Sequence, residues 1–122
     1  AGGRTVNMTL AGGPTAGQIG LMSEQHMRAW EKRLDGRRSV SVPCQSLTNL
    51  MHSAGLTGTV DFLSLDVEGA ESTVLENVDP AVFKLVLVEA FNHTRDRTSA
   101  LLRKAGLREA TMLLVKHSRI FL

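Results

Sequence analysis

Two runs of the chain, "TVDFLSLDV" over residues 59–67 and "FKLVLVEAF" over residues 83–91, are strand-length, rich in Val, Leu and Phe, and nearly continuous in apolar residues. An unbroken apolar run fits a strand covered on both faces, so the first is expected to be a central parallel strand of an α/β sheet. Both runs end in polar groups, Asp66 and Glu68 after the first, Glu89 with Asn92 and His93 after the second. Asp and Glu are rarely buried without a partner, so acids that end an apolar run are either solvated at a turn or placed to do chemistry.

The rest of the chain supplies the crossovers. Residues 4–10 alternate Val6, Met8 and Leu10 with polar neighbours, as a half-buried strand does. The stretch "AGGPTAGQIG" is read as a loop: after Gly12 and Gly17 it carries Gln18 and Ile19 where a phosphate loop needs Lys and Ser or Thr. Ser23 caps an expected helix to about Leu34, with Met22 and Met27 as its hydrophobic staple and Met27, Trp30 and Leu34 on one face. "SVSVPC" is a short strand ended by Pro43, which suits an edge. Ser46 caps the next helix, with Leu47, Leu50, Met51 and Ala54 on one stripe, His52 off it, and Gly55 as the stop.

From Gly69 a further helix carries Ala70, Val74, Leu75 and Val78, and Asp79-Pro80 open one short turn. The last helix spans about Arg95 to Ala105, with Leu101, Leu102 and Ala105 inward and Gly106 as the stop. "LREATMLLV" and "SRIFL", with a turn around Lys116-His117, suggest a closing hairpin. Strands alternating with helices build a mostly parallel sheet, here with an antiparallel edge. In open α/β sheets ligands bind beyond the carboxyl ends of the parallel strands, where both polar clusters belong.

At 122 residues the chain is expected to form a single domain. Its 14 basic and 12 acidic residues leave a net charge of +2 and are interspersed, so nucleic acid is not an expected partner. Arg33, Arg37 and Arg38 around Asp35-Gly36 read as a solvated turn. The single cysteine, Cys44, allows no intrachain disulfide and fits a reducing compartment such as the cytoplasm. No run approaches the roughly 18 apolar residues of a membrane span, and the amino end does not read as a signal peptide. Oligomeric state is not legible.

"VDFLSLDVEGAESTVLENVD" followed by "KLVLVEAFNH" resembles the FkbM family of S-adenosylmethionine-dependent methyltransferases, whose hallmark is a strand running into Asp-x-Glu-Gly-x-Glu and then a helix with Val-Leu. The matching residues are Asp66, Glu68, Gly69 and Glu71, followed by Val74-Leu75, and "VPCQSLTNLMHSAG" is similar to the segment that precedes the hallmark. The resemblance covers about residues 40 to 93. It implies a Rossmann-like methyltransferase fold and methyl transfer from S-adenosylmethionine to an acceptor oxygen on a sugar or another small hydroxyl-bearing molecule.

On that resemblance Asp66 lies nearest the cofactor and the transferring methyl, with Glu68 beside it as the second catalytic acid. Glu71 lines or braces the pocket, and Glu89 and His93 face the acceptor. Each has an ordinary structural alternative: Glu71 as an acid favoured in a helix's first turn, Gly69 as a turn residue, and Glu89 and His93 as solvated element ends. Asp66, Glu68, Glu89 and Asn92 offer oxygens of the kind Mg²⁺ or Ca²⁺ prefers, but no compact ligand spacing demands a metal, and none is expected.

The family's early strand and glycine-rich turn are not visible upstream of residue 40, and the chain starts Ala1-Gly2-Gly3 without an initiator methionine. It is therefore expected to be the carboxyl-terminal portion of a methyltransferase fold. The alternative is a non-catalytic or degenerate α/β binding module. Missing strands would also leave an exposed sheet edge prone to association.

Overall fold

A computed structural model describes residues 4–10, 28, 38–89, 95–111 and 117–122. They fall into two compact units, residues 1–45 and 46–122. The first contains strand β1 (Arg4–Leu10) and strand β2 (Arg38–Cys44). These pair antiparallel along their whole length, with Val6 opposite Val42 and Met8 opposite Val40. Val6 and Met8 are half-buried while Thr5 and Asn7 are exposed, the alternation expected from the sequence. Pro43 lies one residue before the end of β2, opposite Thr5. Cys44 is a free, exposed thiol. The glycine-rich stretch and most of the helix expected from Ser23 lie outside the described residues; Arg28 alone is described there, helical and exposed.

The second unit runs through helix α1 (Leu47–Ser53), strand β3 (Val60–Leu65), helix α2 (Glu71–Glu76), a 3₁₀ turn (Pro80–Val82), strand β4 (Phe83–Glu89), helix α3 (Arg95–Lys104) and strand β5 (Ser118–Phe121). Its sheet has the order β3-β4-β5, with β3 and β4 parallel and β5 antiparallel to β4. The sheet is thus mixed, and its parallel part is the β3–β4 pair. Residues 108–110 run antiparallel to the end of β5: Arg108 and Leu122 exchange backbone hydrogen bonds, and Ala110 N–H donates to Ile120 C=O. Both flanks of the expected closing hairpin are therefore present.

Local signals explain where the helices stop and start. Ser46 Oγ accepts from Asn49 N–H at 3.2 Å and caps α1. Asp79 Oδ1 accepts from Ala81 N–H at 3.0 Å and caps the 3₁₀ turn, with Pro80 in its first position. At the end of α3, Gly106 takes φ +93° and lets Leu107 N–H reach back to Leu102 C=O, a Schellman closure. α1 ends the same way, with Leu56 N–H on Met51 C=O.

The core is Leu65, Leu75, Phe83, Val86, Val88, Leu102, Leu107 and Phe121, with Leu47, Met51, Leu63, Val74 and Leu101 packed against it. β4 is the central strand of this sheet, and Val86 and Val88 are fully buried.

Two expectations are corrected. Among the described residues β3 is not the central, doubly covered strand: it lies at one side of the three-stranded order, and Phe62 is 53% exposed. A continuous apolar run specifies residues that tolerate burial but does not supply the second layer that would bury them. On α1, Leu47 and Met51 reach the core while Leu50 is 53% exposed, so the buried stripe is narrower than the sequence suggested.

Candidate active site

The parallel register builds the site. Leu65 pairs with Val88, so the next residues, Asp66 just past β3 and Glu89 at the end of β4 opposite Ser118 of β5, lie side by side at the carboxyl edge of the parallel pair. Beyond Asp66 the chain must turn at once into α2, and it does so through two left-handed residues, Glu68 (φ +55°) and Gly69 (φ +101°). Gly69 takes this conformation at no steric cost, whereas Glu68 is held there against the ordinary preference of a residue with a Cβ.

The group that holds the turn is Glu71, the first residue of α2 and 0% exposed. Its Oε1 accepts from Val67 N–H and Gly69 N–H, each at 3.1 Å. An acid in a helix's first turn thus reaches back to satisfy the amides of the preceding turn, which joins the bracing and the first-turn explanations in one side chain. Its other oxygen, Oε2, is buried and has no hydrogen-bond partner.

Asp66, Glu71 and Glu89 each bring one carboxylate oxygen within 4.8 Å of the others. Asp66 is exposed, Glu89 half-buried and Glu71 buried, so the cluster grades from solvent into the protein. The crowding is felt at Glu89, whose pKa rises from 4.5 to about 7. Burial is the largest cause, followed by a hydrogen bond to Asp66 and the negative charges of Asp66, Glu68 and Glu71.

The sequence grouped Asp66 with Glu68, and Glu89 with Asn92 and His93. The structure brings together Asp66, Glu71 and Glu89, with Glu68 close enough for its charge to act on Glu89. Asn92 and His93 lie outside the described residues. The signal for the Asp66–Glu89 pairing was present in the sequence, since each is the first acid at the end of a parallel strand, but the register was needed to align them.

Away from this edge, Glu109 receives Arg103 at 2.7 Å and also pairs with Arg119, tying α3 to β5. His52 is exposed, as its place off the α1 stripe suggested. Among the described residues no helix is long and apolar enough to cross a membrane.

The second unit is a mixed α/β sheet whose parallel strands end in converging carboxylates beside a tight strand-to-helix turn, at the edge where open α/β sheets bind ligands. Residues 8–112 match the methyltransferase FkbM domain, and the chain belongs to that methyltransferase family. The match extends well beyond residues 40 to 93 and takes in sequence upstream of residue 40. Comparison with curated proteins and with solved structures returns no match.

Proposed function

We propose that this chain is part of an S-adenosylmethionine-dependent O-methyltransferase acting on a sugar or another small hydroxyl-bearing acceptor, with a Rossmann-like sheet as its frame. The observation that carries the reading is the convergence of Asp66, Glu71 and Glu89, with Glu68 beside them, at the carboxyl edge of the parallel pair in a chain of this family.

The donor set suits the cofactor. S-adenosylmethionine supplies an electrophilic methyl group on a positively charged sulfur and carries an ammonium group, and a site rich in carboxylates, one oxygen of which is buried without a partner, favours positive charge. Asp66, the exposed member, is the residue assigned to the cofactor's amino group. Glu89 and His93 orient the acceptor hydroxyl. Orientation matters because the attacking oxygen must lie in line with the bond that breaks. Glu68 takes the hydroxyl proton as the new carbon–oxygen bond forms, a general-base role that its enforced left-handed backbone serves by fixing where the side chain starts. Glu71 acts indirectly, by fixing the turn that carries Asp66 and Glu68.

Isothermal titration of the 122-residue chain with S-adenosylmethionine and S-adenosylhomocysteine tests this reading. Saturable micromolar binding that weakens in Asp66→Asn supports it. A folded chain that binds neither compound means that these acids belong to a site completed by further sequence or to a non-catalytic α/β module, and Asp66→Asn with unchanged cofactor affinity and turnover in the complete enzyme removes Asp66 from the site.

A further inference from the structure

We propose that Asp66, Glu71 and Glu89 form a binding site for one hard divalent cation of the Mg²⁺ or Ca²⁺ class. Three oxygens that all lie within 4.8 Å of one another have a common point no more than about 2.8 Å from each. That is within a few tenths of an ångström of the roughly 2.3–2.6 Å at which Ca²⁺ meets carboxylate oxygen, a difference that side-chain adjustment closes. The ligand set is oxygen only, which selects Mg²⁺, Ca²⁺ or Mn²⁺ over softer metals.

Acids gather on protein surfaces without binding anything, so the cluster alone is a weak argument. The second observation is Glu71. Its side chain is 0% exposed, Oε1 is committed to two backbone amides, and Oε2 is left buried with no hydrogen-bond partner, on a carboxylate that contributes one oxygen to the cluster. A buried carboxylate oxygen left without a partner keeps its full desolvation cost, and a cation in the cluster offsets it. Among the described residues no Lys or Arg forms an ion pair with any of the three acids.

The buried and half-buried acids fix two ligands, and the exposed Asp66 closes the site from the solvent side, leaving positions for water or an incoming oxygen. No compact ligand spacing is visible along the chain because the three ligands come from a strand end, a helix start and a second strand end. Under the methyl-transfer reading, on which this one consequence rests, the open position takes the acceptor oxygen. Cation binding itself needs neither cofactor nor acceptor.

Titrating the metal-free chain with MgCl₂, CaCl₂ and MnCl₂ by calorimetry, with Mn²⁺ also followed by the loss of its free EPR signal, tests the site. One cation per chain is expected. Asp66→Asn and Glu89→Gln should each weaken binding at least tenfold, and Asp61→Asn, an exposed acid elsewhere on β3, should not. No saturable binding below about 1 mM, the weak end of protein Ca²⁺ sites, overturns the proposal, as does binding that both site variants leave unchanged. Because no S-adenosylmethionine is present, a negative result leaves the methyltransferase reading to its own titration.

Discussion

Replacing Glu71 separates what its two oxygens do. In Glu71→Ala the amides of Val67 and Gly69 lose the acceptor that each meets at 3.1 Å, inside a partly buried turn that already contains a left-handed Glu68. Two such bonds are worth about 1–3 kcal/mol together at neutral strength and more if the carboxylate is charged. Removing Oε2 recovers part of this, because that oxygen is buried with no partner on a carboxylate clustered with Asp66 and Glu89. The net destabilisation is then about 2 kcal/mol. Glu71→Gln keeps an acceptor for both amides and puts an NH₂ where the partnerless Oε2 was, on a side chain clustered with two carboxylates. It should be as stable as the wild type or more so, by up to about 1 kcal/mol. The measurement is urea denaturation followed by far-UV circular dichroism, in EDTA so that no cation contributes. Alanine and glutamine variants that lose the same stability, or an alanine variant that loses none, would refute this account of the turn.

The raised pKa of Glu89 sets a pH dependence. The folded state holds its proton up to about 7 while the unfolded chain releases it near 4.5, so the native state binds more protons between these values. The stabilisation is complete below about 4.5 and is lost as pH rises through about 7. Screening of a half-buried group limits it to on the order of 1 kcal/mol. In metal-free buffer Glu89→Gln should flatten the decline of stability across this window, and an unchanged slope would assign it to other groups. Leu102→Ala removes a fully buried side chain and should cost about 2–5 kcal/mol, whereas Leu50→Ala should stay within about 0.5 kcal/mol; equal losses in thermal melts would restore Leu50 to the core. Gly106→Ala meets no neighbouring atom but must adopt φ +93°, so about 1–2 kcal/mol of backbone strain is expected in the same melts, and none would mean that the closure of α3 relaxes.

The sequence alone determined the elements of the second unit, because their signals are local. Ser46 and Asp79 are caps whose side chains bond amides two or three residues away, and Gly106 closes α3 because that position needs a positive φ. The acids at the strand ends, and the family to which their motif belongs, were legible for the same reason: a strand, a tight turn and a helix start lie within ten residues.

Tertiary structure decided what depends on neighbours distant in the chain. The apolar pattern of β3 could not reveal that Phe62 is exposed, since hydrophobicity records what a residue tolerates and burial requires another element to arrive. Nor could it align Asp66 with Glu89, which takes the β3–β4 register, or turn Glu71 back onto the turn so that it meets them. The cluster joins residues 66, 71 and 89 because parallel pairing converts two similar strand ends into one edge, and it is this pairing that leaves the carboxylates within 4.8 Å of one another.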